Sequence, residues 1–200
     1  MNTAMVIPAL GALALNATAA NLLLGLPVSL NGDFGLEGPA YIADGWSGGV
    51  LAAGSTLTDG VFLPAGHQWD QATVWWDRTH SDSSANSIEI TLGGSVLLNN
   101  LVVQADDNDT YQIEYFDGAT WNLAWDIPAV GGWGMQTRDS GPLPPFTASA
   151  LRFTATGGDD LFAVSEIQAS LIAIPESSAF GLGLGLAALT GVALRRWRVV

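Results

Sequence analysis

Tyr111-Gln112-Ile113-Glu114-Tyr115-Phe116-Asp117-Gly118-Ala119-Thr120-Trp121-Asn122-Leu123-Ala124-Trp125-Asp126-Ile127 is the stretch on which the fold turns. Tyr111, Ile113 and Tyr115 recur at every second residue, the period that places side chains on one face of a strand. Asp117-Gly118 supplies a turn, because glycine takes the left-handed backbone that a tight hairpin requires. Beyond it Trp121, Leu123, Trp125 and Ile127 alternate again. The stretch therefore predicts a β-hairpin with one apolar face.

Working outward, residues 87–92 repeat the pattern, with Ile88, Ile90 and Leu92 on one face and Glu89 and Thr91 on the other, until Gly93-Gly94. Downstream, Leu151, Phe153 and Ala155 alternate with Arg152 and Thr154, and residues 162–174 supply a closing strand that carries Glu166. Short alternating segments separated by Gly, Asn, Asp and Pro clusters are the pattern of an antiparallel sandwich or barrel. No helical period of comparable strength is present, and the count comes to about eight strands.

Composition removes whole classes of chemistry. The chain has 200 residues and no cysteine, so disulfides, thiolate metal sites and cysteine nucleophiles are out. It also has no lysine, which excludes a phosphate-binding loop ending in Gly-Lys and Schiff-base catalysis. Net charge is -13. Residues 20–174 hold eighteen acids against only Arg78, Arg138 and Arg152. Such a surface repels nucleic-acid phosphates and anionic headgroups, leaving cations and neutral polymers as partners.

The two ends differ from the middle. Residues 4–15 form an apolar run followed by Ala17-Thr18-Ala19, a small-x-small cleavage pattern, so residues 1–19 read as a signal peptide although residues 1–14 carry no Lys or Arg. At the other end Ile174-Pro175-Glu176-Ser177-Ser178 precedes an apolar run over residues 179–194 and then Arg195-Arg196-Trp197-Arg198. As a helix that run would span about 24 Å against a hydrocarbon core of roughly 30 Å. The terminal arginines favour a cytoplasmic C-terminus, which puts the preceding domain outside the inner membrane.

Pro-Glu, short apolar helix and arginine cluster, in that order, resemble the PEP-CTERM sorting tail of Gram-negative bacteria over about the last 26 residues (174–200). The second proline of the family motif is Ser177 here. The resemblance implies recognition by an exosortase through Pro175, Glu176, Arg195 and Arg196, with transient anchoring in the inner membrane before release to the cell surface or extracellular matrix. An ordinary single-pass anchor is the alternative.

The middle carries a second resemblance. Thr58-Asp59-Gly60, Trp75-Trp76, the strand at Ile88, the hairpin around Asp117-Gly118, Leu151-Arg152-Phe153 and Val164-Ser165-Glu166-Ile167 follow one another as in the discoidin, or coagulation-factor type C, domain. That domain is a galactose-binding-like jelly roll. The resemblance implies an all-β antiparallel sandwich over residues 20–173, and the patterns of the two ends add an N-terminal signal helix and a C-terminal hydrophobic helix on either side of it. It further implies binding of carbohydrate or another surface ligand by loops at one end, often beside calcium, and Asp59 and Glu166 match the family positions nearest that metal.

Sugar rings offer flat C–H patches that stack on aromatic faces, while Arg, His, Asp and Asn bond the hydroxyls around them. Three polar loops meet this need. One is Gly66-His67-Gln68-Trp69-Asp70, the second Gly131-Gly132-Trp133-Gly134 with Arg138, the third Arg78-Thr79-His80-Ser81-Asp82. His67, Trp69, Arg78, His80, Trp133 and Arg138 are the candidate ligand residues. Trp69 and Trp133 could equally cap the core. Asp106-Asp107-Asn108-Asp109 is the densest acidic run, and in a hairpin it is more often a solvated turn than a calcium loop.

No Gly-x-Ser-x-Gly elbow and no His-Glu-x-x-His pattern occurs. The reading is therefore a non-catalytic, exported polysaccharide- or glycan-binding protein with calcium as its candidate cofactor. A structural matrix protein without a ligand site stands as the alternative, and a small hydrolase using paired carboxylates as a third.

Overall fold

Alternation decides which way each strand faces, and two apolar faces then close on each other. The computed structural model describes residues 20–35, 49–78 and 85–172. The strands among them are β1 (Val28–Asn31), β2 (Val74–Asp77), β3 (Ser87–Leu98), β4 (Asn100–Asp106), β5 (Thr110–Phe116), β6 (Trp121–Ile127), β7 (Met135–Asp139), β8 (Phe146–Gly157) and β9 (Leu161–Ser170). A short 3-10 helix, Gly54–Thr58, lies between β1 and β2. One sheet has the order β1-β3-β8-β5-β6 and the other β2-β9-β4-β7, and every pairing between these strands is antiparallel.

Ile88, Ile90, Tyr111, Ile113, Leu151 and Phe153 face inward from the first sheet. Val74, Trp76, Leu101, Val103, Phe162, Val164 and Ile167 meet them from the second. Each such side chain contributes about 1.5–3 kcal/mol through burial. Tyr111 ties the layers together, stacking on Phe153 with ring centroids 4.9 Å apart and meeting Phe162 edge-on at 6.1 Å.

Two bulges alter what simple alternation predicts. In the β5–β6 hairpin Glu114 pairs with Leu123 but Ile113 pairs with Trp125, leaving Ala124 as the extra residue. Trp121 and Leu123 consequently share the outer face with Glu114, and Leu123 is exposed, while Trp125 and Ile127 pack on the core. The expected single face for all four is thus corrected: one inserted residue flips the register. In β9, Ser165 is the extra residue between the pairs Ala105–Val164 and Gln104–Glu166, which lets Val164 and Ile167 both point inward.

Both ends of the described domain leave from one side. The Leu22 N–H donates to the Ala169 carbonyl at 2.8 Å, and the Ile172 N–H donates to Asn99 Oδ1 at 2.7 Å. The opposite end of the sandwich is left to the loops considered next. The expected signal peptide (1–19) and the tail with Pro175, Glu176, Arg195 and Arg196 lie outside the described residues. Among the described residues no helix is long and apolar enough to cross a membrane.

Candidate functional site

Where β4 and β8 finish and β5, β7 and β9 begin, four connections converge: the loop before β2, the β4–β5 turn, the β6–β7 loop and the β8–β9 turn. They enclose an open cleft of about 340 Å³, whose lining includes Gln68, Trp69, Asp106, Asp107, Asn108, Trp133 and Asp159.

Trp69 and Leu161 line the cleft and belong to a second apolar cluster on the outer face of the smaller sheet, completed by Trp75, Met135 and Ala163. Trp69 is only 7% exposed and packs edge-on against Trp75, centroids 5.5 Å apart. The Thr73 hydroxyl donates to the Trp69 carbonyl, pinning the loop that carries it.

Trp133 has the opposite character: it stands on the rim with 64% of its surface exposed. Its loop is held rigidly all the same. The Gly66 N–H donates to Met135 O at 3.0 Å and the Met135 N–H to His67 O at 2.9 Å, so the His67 loop extends the sheet beyond β7. Gly134 takes φ +58°, and a Cβ there would collide with the His67 carbonyl. The Trp133 carbonyl accepts from Gln136 Nε2 at 2.9 Å. On the far side, the Asp107 carbonyl accepts the Val130 N–H at 2.9 Å.

Carboxylates occupy the remaining wall. The Asn108 side chain bonds Asp159 at 2.7 Å, joining the two turns. Asp106 is raised to about 6, first by burial and then by repulsion from Asp107. Beneath it Asp109, fully buried, is raised to about 8, again by burial first and repulsion from Asp159 second.

The sequence-predicted residues are thus divided among several places. Trp69 and Trp133 line the cleft, whereas His67 lies in the adjoining loop without lining it, its Nε2 2.9 Å from the Gln71 carbonyl. Arg138 lies below the cleft, 5% exposed. Its guanidinium donates to the Asp106 carbonyl and sits 5.6 Å from the Tyr111 ring centroid, and burial lowers its pKa. Arg78 is on the flank, over Phe162 at 4.6 Å and 3.7 Å from Asp160. His80 lies outside the described residues. Gln68 belongs to the first of the three predicted loops without being one of its candidate ligand residues, and Asp159 lies outside all three, although Gly157-Gly158-Asp159-Asp160 has the composition of a turn.

Asp59 and Glu166 form a separate pair away from the cleft. Glu166 is fully buried in β9, accepting from the Gly60 N–H at 3.1 Å and from Gln168 at 3.0 Å on Oε1. Its Oε2 is buried with no hydrogen-bond partner. Burial, and to a smaller degree Asp59, raises its pKa to about 7. Neighbouring Gln104 clamps the following strand of chain, accepting the Leu63 N–H at 2.7 Å and donating to its carbonyl at 2.8 Å. An orphaned carboxylate oxygen beside a second carboxylate suits a hard cation such as calcium. Among the described residues no group of three His, Cys, Asp or Glu assembles to hold a metal, so backbone carbonyls would have to complete the shell.

No family model matches the chain. No curated protein matches it either. Among solved structures it is similar to SpGH29, with 17% identity and a TM-score of 0.51 over 78% of this chain, although it spans only 28% of that one. It is also similar, at a TM-score of 0.47 and 12% identity, to the family 32 carbohydrate-binding module of C. perfringens NanJ solved with galactose, over 76% of this chain and 97% of that one. At 0.48 and 16% it is similar to CpGH89CBM32-4 of Clostridium perfringens, solved with glcNAc-alpha-1,4-galactose, over 80% and 100%. Identity this low speaks to fold alone, and the fold is the all-β antiparallel sandwich of two sheets expected from the sequence.

Proposed function

We propose that this chain is a non-catalytic glycan-binding protein, exported and sorted by its C-terminal tail to the cell surface or the extracellular matrix. The observation that carries the binding role is Trp133, a large aromatic face held out at the rim of a cleft that also carries amides, carboxylates and the apolar side chains of Trp69 and Leu161. Exposing a tryptophan on a rigid loop is the arrangement that stacks on sugar C–H groups, with side chains such as Gln68 and Asn108 available for hydroxyls. Similarity to carbohydrate-binding modules supports the same reading at the level of fold.

Calcium at Asp59 and Glu166 belongs to this proposal as a structural ion. Export, the exosortase and the inner-membrane stage rest on the sequence pattern of the two ends. Because the described ends emerge opposite the cleft, a chain held by its tail would leave the cleft unobstructed.

The test is a glycan array and isothermal titration with the purified domain and its Trp133→Ala variant. Binding of an oligosaccharide that disappears in the variant, with the melting temperature unchanged, is the expected result. Absence of binding across a broad panel would leave the structural matrix reading in its place.

A further inference from the structure

Behind the cleft wall one buried carboxyl joins two turns that carry it. Asp109, in the β4–β5 turn, is fully buried. Its Oδ1 accepts the Asp159 N–H at 3.3 Å from the β8–β9 turn, and a Cβ on Gly158 would collide with the same oxygen. Its Oδ2 lies 3.0 Å from the Tyr111 hydroxyl, which also lies 3.2 Å from the Ala163 carbonyl. That hydroxyl has one proton for two acceptors. With Asp109 charged, Tyr111 donates to it. With Asp109 neutral, the carboxyl donates to Tyr111 and Tyr111 to Ala163, and both contacts are served.

The surrounding charges favour the neutral form. Asp159 faces Asp109 from the β8–β9 turn, Asp106 from the end of β4 and Arg138 from β7. Asp107 adds its charge to that of Asp106. Arg138 directs Nη2 to the Asp106 carbonyl, while its Nε and Nη1 are buried with no hydrogen-bond partner. Burial first and Asp159 second hold the Asp109 carboxyl at about 8.

We propose that Asp109 is a proton-controlled latch of the cleft: neutral, it holds the β4–β5 and β8–β9 turns together; charged, it repels Asp159 and draws in the free N–H groups of Arg138, parting the two turns. The wall that Asn108 and Asp159 build by their 2.7 Å bond is then intact in acidic and neutral surroundings and loosened in alkaline ones. The latch belongs to the fold and stands whatever the cleft binds. Its control of glycan affinity rests on the glycan-binding reading of the same cleft.

The experiment follows amide hydrogen exchange by NMR on the purified protein between pH 6 and pH 9, each rate divided by its intrinsic base-catalysed value. Protection of the Asp159 N–H should fall about tenfold or more over that range while that of core residue Ile90 holds, which separates local opening from unfolding. Asp109→Asn keeps an acceptor for the Asp159 N–H and carries no charge, so it should stay protected throughout. Asp159→Asn removes the repulsion and should move the midpoint to lower pH. Tyr111→Phe removes a hydrogen bond to the charged form and should move it to higher pH. Protection indifferent to pH, a fall that survives Asp109→Asn, or a midpoint unmoved in the other two variants overturns the latch. Should Asp109→Asn fail to fold, those two opposite displacements decide. A glycan that binds should bind about tenfold more weakly at pH 9 than at pH 6, and equal binding overturns the control of the cleft. If no glycan binds, the glycan reading falls and the exchange result still decides the latch.

Discussion

The Tyr111 hydroxyl donates to Asp109 Oδ2 at 3.0 Å beneath the cleft, and both residues are buried. Tyr111 is thereby a core ring on one side and a polar support for the β4–β5 turn on the other, since Asp109 Oδ1 also receives the Asp159 N–H at 3.3 Å. The turn that lines the cleft is tied directly to the aromatic contact joining the two sheets.

Stability should therefore fall as pH rises. Asp106, Glu166 and Asp109 have folded-state values near 6, 7 and 8, above the ordinary carboxylate range they recover on unfolding. A raised carboxylate stabilises the fold below its unfolded value and loses that contribution as pH climbs through the folded one. Melting without divalent cations should drop by about 5 °C or more between pH 5 and pH 8. Asp109→Asn should remove most of the fall in the upper half of that window. A melting temperature flat across the range would contradict the placement of these acids.

The two tryptophans of the cleft should separate binding from folding. Trp133 is mostly exposed, so Trp133→Ala should change stability by less than about 0.5 kcal/mol while abolishing glycan capture. Trp69 is packed on Trp75 and Leu161, so Trp69→Ala should cost about 3–5 kcal/mol. Denaturant unfolding of both variants distinguishes them, and equal losses would place Trp133 in the core.

Gly134 should tolerate no side chain. Its φ of +58° costs any L-residue roughly 1–2 kcal/mol, and the His67 carbonyl occupies the space of a Cβ. Gly134→Ala should lower stability by at least that amount and weaken glycan binding together with it, because the same contact aligns the Trp133 loop. Unchanged melting and binding would show that the loop is not held there.

Much of this was legible in the sequence because period-two alternation survives in it: the faces of Ile88, Ile90, Tyr111, Ile113, Leu151 and Phe153 are as the residues indicate. The outward turn of Trp121 and Leu123 was not, since a bulge leaves no mark in composition. Nor was the position of Arg138, whose charge suggested the rim but whose aliphatic stem and planar head suit a buried place between the Asp106 carbonyl and Tyr111. The gathering of Asp159 with Asp107 depends on β4 and β9 being neighbours, a tertiary fact with no local signature.

Calcium, if bound at Asp59 and Glu166, should show a characteristic pH dependence. A carboxylate must shed its proton to ligate, and Glu166 without metal titrates near 7. The rise in melting temperature on adding calcium should therefore be larger at pH 8 than at pH 6. At a concentration a hundredfold above its dissociation constant the ion would add about 2.7 kcal/mol. Glu166→Gln keeps an acceptor for the Gly60 N–H but no charge for the ion, so it should abolish the calcium shift while folding in the absence of metal. A shift of equal size at both pH values, or one that survives Glu166→Gln, would assign the ion elsewhere, and no shift at all would remove calcium from the protein.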